Sequence, residues 1–144
     1  MGLLTDYFAA RDDADARRAL NRGPRVNGFA AVEAKSLEPL VTMATLEEVL
    51  TGTDAMQIIN VNADAVVGRA GETGPWVFRV RPSLVQAFGE PDGERLRSAA
   101  HAWAATEELA GADPRQLFEF LWGLAHLSKW ATDNNQHVYC WASL

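Results

Sequence analysis

Apolar residues are concentrated at both ends of the chain, and segments with helical patterns lie between them. Residues 3–10 and 138–142 are apolar on both faces, which is typical of buried strands. The motif at residues 113–116, Asp-Pro-Arg-Gln, places an N-cap acid before a proline at the first helical position, and it predicts a helix reaching about Thr132. The pattern therefore predicts a sheet containing both terminal strands, with helices packed against it.

Weaker signals predict the remaining elements. Capping residues, glycine stops and β-branched runs indicate helices and strands in alternation. The predicted helices cover residues 14–21, 45–52, 82–88 and 94–109, and the predicted strands cover residues 29–34, 65–69 and 76–80. No internal repeat or long linker separates two cores. We therefore expect residues 1–144 to form a single α+β domain, with one small mixed sheet packed against several helices.

Composition narrows the functional classes. The 144 residues are 48% hydrophobic and 22% charged, as in a globular domain, and 19 acidic against 13 basic residues give a net charge of −6. A chain this acidic lacks the positive field that attracts nucleic acid or anionic lipid, so neither is an expected partner. A single cysteine and an N-terminal segment without signal-peptide features favour a cytoplasmic location.

The residues from which catalytic and metal sites are built form no familiar motif. The three histidines show no i, i+4 pair of the kind that binds zinc, and Cys140 has no second thiol to pair with. His137 lies three residues before Cys140 on the same predicted strand, so the two side chains point to opposite faces. Glycines 68, 71 and 74 indicate a hairpin loop, because a strand follows where a phosphate cradle requires a helix. The sequence predicts no catalytic residue, no metal and no cofactor.

One carboxylate, that of Glu107, lies on a predicted buried face of a helix and indicates a pocket. On the predicted helix 94–109, Glu107 falls one turn beyond Trp103 on the apolar stripe. A carboxylate on a buried face needs a partner or an elevated pKa, and both conditions occur at general acids. A pocket combining Trp103, Glu107 and Tyr139 would indicate a small enzyme or a small-molecule-binding protein. Alternatively, the helix ends near Thr106 and Glu107 reaches solvent or an arginine.

The last predicted helix carries aromatic residues on its polar side. Trp122, His126 and Trp130 are spaced at i, i+4 and i+8, opposite the stripe of leucines. Exposed tryptophans of this kind are enriched at the centres of protein interfaces. If the face is open, we expect it to bind a partner; the alternative is that another element of the chain covers it.

Four segments of the chain carry a resemblance to known proteins. These are residues 1–10 (Met-Gly-Leu-Leu-Thr-Asp-Tyr-Phe-Ala-Ala), residues 32–35 (Val-Glu-Ala-Lys), Trp103 with residues 106–108 (Thr-Glu-Glu), and residues 139–141 (Tyr-Cys-Trp). Together they resemble a group of small actinobacterial proteins of unknown function, and the two terminal strands are faintly similar to YfbM-like bacterial proteins. The resemblance implies a fold and an intracellular bacterial setting, and it brings no catalytic residues.

Two hypotheses follow for the function. The first is a non-catalytic protein-binding module, such as a regulatory, inhibitor or immunity protein, whose partner is another protein or a second copy of the chain. The second is the small enzyme or small-molecule binder with a pocket around Glu107 and Trp103. A concave site with convergent polar groups would favour the second, whereas an open apolar surface would favour the first.

Overall fold

The computed structural model describes residues 3–34, 37–62 and 65–144, which contain five strands and six α-helices. The strands are β1 (Leu4–Ala10), β2 (Ala31–Glu33), β3 (Val66–Arg69), β4 (Trp76–Arg79) and β5 (His137–Ser143). The helices are α1 (Asp13–Ala16), α2 (Val41–Thr51), α3 (Ala55–Val61), α4 (Pro82–Phe88), α5 (Gly93–Ala104) and α6 (Pro114–Asp133). Short 3₁₀ turns follow α1 and α5, at Arg17–Leu20 and Glu107–Leu109.

The strand nearest the end of the chain occupies the centre of the sheet. The spatial order is β2-β1-β5-β4-β3, and β5 pairs along its length with β1, from Leu4 opposite Ser143 to Ala10 opposite His137. The α+β class and the shared sheet of the two terminal strands are therefore confirmed. All four strand pairs of the described residues are antiparallel, where we had expected a mixed sheet. Each connection between neighbouring strands reverses the direction of the chain, including the helical connection from β4 to β5.

Successive side chains of the strands point to opposite faces of the sheet, so the core has two parts. Tyr7 and Cys140 point to one face, which α2, α4, α5 and α6 cover. Phe8 and Tyr139 point to the other face, which α1 and the segment after it cover. Both faces are buried, which explains why the terminal strands are apolar at most positions.

Helix α6 is the longest element and lies against the first face. The Asp113 side chain accepts a hydrogen bond from the backbone N–H of Arg115, and Pro114 occupies the first turn, as the sequence predicted. At Gly123 an added Cβ would lie 3.0 Å from Val32, so glycine allows α6 to pack closely beside β2. In the described ranges, no helix combines the length and the apolar character needed to cross a membrane.

Two helices near the middle of the chain differ from expectation. Helix α2 begins at Val41 instead of Thr45, because the Glu38 carboxylate accepts hydrogen bonds from the backbone N–H groups of Leu40 and Val41. Its end at Gly52 follows the prediction, with a left-handed φ of 80° at that glycine. Helix α3, capped by Asp54, was not predicted.

Helix α5 ends five residues before the predicted end. It stops at Ala104, and Thr106 adopts an extended backbone while its hydroxyl donates a hydrogen bond to the Trp103 carbonyl oxygen. Glu107 therefore leaves the apolar stripe and lies exposed in a 3₁₀ turn.

Candidate functional site

The aromatic face of α6, formed by Trp122, His126 and Trp130, is open in the folded chain. Trp122 is 41% exposed and Trp130 is 51% exposed, and His126 is exposed between them. On the opposite side of the helix, Leu121 and Leu124 are fully buried. No described element of the chain covers the aromatic face, so the alternative of an internal face does not apply.

The aromatic side chains are ordered by contacts within the helix. The Trp122 carbonyl oxygen accepts a hydrogen bond from Nδ1 of His126 at 2.8 Å, and the two rings pack edge to face with centroids 4.5 Å apart. Phe118 stacks on Trp122 at 6.0 Å, and the Arg97 guanidinium lies 4.9 Å from the centre of the Phe118 ring. Because these rings are already held in place, binding a partner costs them little side-chain entropy.

A groove runs beside the aromatic face. It encloses about 510 Å³ between α6 and β2, and its walls include Val32, Gly123, His126 and Trp130. Strand β2 is an edge strand, so one side of its backbone is not paired within the sheet. The aromatic face and the sheet edge thus form one continuous surface.

Charged residues lie at both ends of the aromatic face. Arg115 and Glu119 precede it, and the Arg115 side chain is 92% exposed. Asp133 follows it and forms an ion pair at 2.7 Å with Lys129, which lies between His126 and Trp130, and Lys129 also pairs with Glu90 at 3.3 Å. Acidic and basic side chains therefore border the face towards both ends of the helix.

The predicted pocket of Trp103, Glu107 and Tyr139 is not formed. Trp103 is completely buried in the helical core, where its indole N–H donates to the Thr42 carbonyl oxygen and Thr45 Oγ1, both at 3.1 Å. Glu107 is exposed because α5 ends before it. Tyr139 lies on the other face of the sheet. The three side chains do not converge, so this part of the sequence interpretation was wrong.

Tyr139 instead belongs to a polar cluster that the sequence did not indicate. Its hydroxyl donates to Asp13 Oδ1 at 2.8 Å, and Asp13 also forms an ion pair with Arg79. Burial, together with the neighbouring Asp13 carboxylate, raises the pKa of Tyr139. Burial also tends to raise the pKa of Asp13, but the hydrogen bonds from Tyr139 and Arg79 outweigh it and the pKa is lowered. Both pKa values move away from neutrality, which does not suit proton transfer.

The Asp15 carboxylate lines a second concavity, of about 410 Å³, that extends towards Phe29 and Trp130. The side chain is only 6% exposed, and it accepts hydrogen bonds from the backbone and guanidinium of Arg11 and from the Arg18 guanidinium at 2.7 Å. Burial opposes ionisation, but the hydrogen bonds from Arg11 and Arg18 prevail and lower the pKa of Asp15 to about 2. Asp15 is thus an ionised structural anchor at the start of α1.

This anchor predicts a pH dependence of stability. A carboxylate with a lowered pKa in the folded state stabilises the fold above its unfolded pKa of about 3.8, and that stabilisation is lost as the pH falls through about 2. We expect Asp15 to contribute about 1 kcal/mol, since its arginine partners are largely exposed. Urea unfolding should give Asp15→Asn a free energy of unfolding about 1 kcal/mol below that of the unaltered chain at pH 7. The free energy of unfolding of this variant should also fall less steeply than that of the unaltered chain as the pH is lowered to about 2. The exposed Glu108→Gln serves as control, and equal acid limbs for Asp15→Asn and the unaltered chain would contradict the assignment.

Among the described residues, the most deeply buried carboxylate is that of Glu47 on α2, which is 2% exposed. Its oxygens accept hydrogen bonds from Arg81 Nε at 2.9 Å, from Arg81 Nη2 at 3.3 Å and from the Ser83 hydroxyl at 3.0 Å. These contacts tie α2 to the start of α4. Both carboxylate oxygens of Glu47 are held by neighbouring side chains, so the cluster stabilises the fold and the carboxylate is not free for chemistry.

Cys140 behaves as a packing residue. It is 1% exposed and lies opposite Tyr7 in the sheet, and burial raises the pKa of its thiol. A buried thiol with a raised pKa is a poor nucleophile. Among the described residues, no three His, Cys, Asp or Glu side chains gather in an arrangement that could hold a metal ion.

Comparison of the chain with protein-family models, with curated proteins and with solved structures finds no match. The resemblance to the actinobacterial group therefore remains an expectation from sequence. Met1, Gly2 and Lys35, which belong to the resembling segments, lie outside the described residues.

Proposed function

We propose that this chain is a non-catalytic protein-binding module, and that it binds its partner through the aromatic face of α6. The observation that carries the proposal is the exposure of Trp122 and Trp130 on either side of His126, directly opposite a fully buried leucine stripe. Large aromatic side chains in the open are costly for a monomer, because water must solvate their apolar surface. A partner that covers them recovers this free energy.

The surroundings of the aromatic face suit an interface. Charged residues border the face at both ends, giving the apolar centre and polar rim that protein interfaces have. The adjoining groove along β2 adds a concave wall, into which a side chain of the partner can insert. The rings of Trp122 and His126 are held by contacts within α6, so the surface is preorganised for binding.

The alternative of a small enzyme has weaker support. A general acid or base requires access to the substrate together with a pKa near neutrality. Among the carboxylates that line concave surfaces, Asp13 and Asp15 have lowered pKa values and are held by arginines. Glu47 is paired with Arg81 away from solvent, so it lacks access. None of these three carboxylates meets both requirements.

We expect Trp122→Ala and Trp130→Ala each to weaken binding of the partner about thirtyfold without unfolding the chain. Truncation of a central interface tryptophan costs about 2 kcal/mol or more, which corresponds to this factor. Removing a half-exposed tryptophan should lower the thermal stability of the monomer far less than removing the buried Trp103. The measurements are a titration by isothermal calorimetry and a thermal melt of each variant.

The partner is first obtained by capture with the immobilised chain, and the interaction is then reconstituted from purified components. Met56→Ala and Val61→Ala are matched controls, because these residues of α3 expose comparable apolar surface away from α6. Both controls should bind as the unaltered chain does. Binding that is insensitive to Trp122→Ala and Trp130→Ala would contradict the proposed site.

A further inference from the structure

We infer that the partner of the aromatic face is a second copy of this chain, bound with the two α6 helices antiparallel about a two-fold axis. The inference rests on the proposed function, because it names the occupant of the same surface. It is carried by the order of charges along the exposed side of α6, which is complementary to itself when the helix is reversed.

Six residues form the outer stripe of α6. Their spacing alternates between four and three residues, which keeps them within about 80° of one another around the helix and opposite the buried leucines. The outer stripe consists of Arg115, Glu119, Trp122, His126, Lys129 and Asp133. Along the helix it reads positive, negative, aromatic, aromatic, positive, negative.

A two-fold axis midway between Trp122 and His126 brings each residue of the outer stripe opposite a complementary one. Glu119 then faces Lys129 of the second copy, Arg115 faces Asp133, and Trp122 faces His126. Phe118, beside the outer stripe, faces Trp130 of the second copy in the same register. The symmetry repeats every contact, so two ion pairs form at each end of an aromatic centre.

Other arrangements of two α6 helices lose this match. Parallel packing in register places each charge against its own copy, so that Glu119 meets Glu119 and Arg115 meets Arg115. An antiparallel shift by seven residues places Trp122 opposite Asp133 and His126 opposite Lys129. Like charges and buried charges without partners both oppose association, so the charge order selects a single register.

The charges on the outer stripe can take part in these contacts. Arg115 has only a distant ion pair, with Asp113 at 3.9 Å, and its side chain is 92% exposed. Lys129 already pairs with Asp133 of its own helix and with Glu90, and the second copy adds Glu119 and Arg115 to this group. The result is a network of three acidic and two basic side chains at each end, which contributes more than isolated surface pairs do.

The exposed aromatic area sets the expected strength. An aromatic side chain buries about 150–250 Å² when fully covered, so the half-exposed Trp122 and Trp130 offer roughly 100 Å² each. The four indoles of a dimer supply about a third of the roughly 1,200 Å² that a stable interface requires, and the charged ends and the β2 groove must supply the rest. We therefore expect a dimer with a Kd on the order of 10 µM.

Charge exchange tests the register directly, by sedimentation equilibrium at low salt. A dimer of Glu119→Lys chains places two positive charges together at each end of the interface, and a dimer of Lys129→Glu chains places two negative charges there. Each variant alone should dimerise at least about tenfold more weakly than the unaltered chain. An equimolar mixture of the two variants again sets a positive charge against a negative one, once at each end. The mixture should form a heterodimer with a Kd more than about tenfold lower than that of either variant alone.

In that heterodimer the two exchanged positions of one copy are both basic, and those of the other copy are both acidic. The intermolecular pairs at positions 119 and 129 are therefore attractive at both ends, as they are in the unaltered dimer. The recovery shows that positions 119 and 129 lie in the interface, and the weakening of each variant alone identifies the antiparallel register. Parallel packing would already set Glu119 against Glu119 and Lys129 against Lys129 in the unaltered dimer, so neither single variant would then associate more weakly than the unaltered chain.

Three further measurements serve as controls. Glu72→Lys makes the same change of charge in the exposed β3–β4 loop and should leave the dimer unchanged. Thermal melts establish that each variant folds, and Arg115→Glu mixed with Asp133→Arg repeats the exchange at the outer charge pair should Lys129→Glu fail to fold.

The outcomes separate this inference from the function on which it rests. A chain that remains monomeric to about 500 µM, or a mixture of variants that does not reassociate, overturns self-association in this register. If the monomer still binds a different protein in a manner that depends on Trp122, the proposed binding function stands, and only the identity of the partner on the aromatic face is wrong. If Trp122→Ala and Trp130→Ala alter no interaction, both proposals fail.

Discussion

A chain that lacks residues 138–144 is expected not to fold. These residues make up nearly all of β5, the strand at the centre of the sheet, and their loss leaves β1 and β4 without the neighbour that pairs with both. Val138 and Cys140 are also lost from one core, and Tyr139 from the other. The combined loss exceeds the total stability of about 5–15 kcal/mol that a domain of this kind has.

Circular dichroism and a thermal melt measure this outcome. The matched control removes only Leu144, which is 67% exposed and lies beyond β5, and it should melt as the full chain does. A truncated chain that stays soluble and melts cooperatively would show that β5 is dispensable for folding.

Arg81→Ala is expected to destabilise the fold by about 3–5 kcal/mol. The substitution removes both guanidinium hydrogen bonds from Glu47, whose carboxylate is 2% exposed and cannot be hydrated in place. The cost comes chiefly from leaving a buried negative charge without its counterion. Urea unfolding at neutral pH measures the change in free energy.

A double variant separates the buried charge from the lost packing. Arg81→Leu combined with Glu47→Leu removes the positive and the negative group together, so it should be more stable than Arg81→Ala alone. Ser83→Ala removes one hydrogen bond to the carboxylate and should cost about 1–2 kcal/mol. Equal losses for Arg81→Ala and Ser83→Ala would show that the ion pair is not the dominant contact.

The sequence predicted those elements whose causes are local. The apolar runs at residues 3–10 and 138–142 identified the terminal strands, because a strand with two buried faces is apolar at most of its positions. Asp113 and Pro114 identified the start of α6, because both act within the first turn. Helical spacing also placed Trp122 opposite the leucine stripe, but it left open whether another element of the chain covers that face.

The failures share a different cause, since they depend on residues distant along the chain. The ion pair of Glu47 was not predicted, because nothing in the sequence joins it to Arg81, 34 residues later. The helical pattern of α5 continues through Glu107, yet the helix ends at Ala104, where Thr106 becomes extended. The indole of Trp103, in the last turn, is held by Thr42 and Thr45 of α2, and this contact between distant residues could not be predicted from the sequence.

The central place of β5 also affects how the protein folds during synthesis. Residues up to 136 leave the ribosome before any of β5, so β1 and β4 emerge with no strand between them. Until Ser143 has emerged and can pair with Leu4, both strands expose unpaired backbone and apolar side chains. Pairing between such distant parts of a chain is slow. During this period β1 and β4, the two strands that will pair with β5, are exposed to aggregation. Chaperone demand during translation is thus set by the strand that completes the sheet.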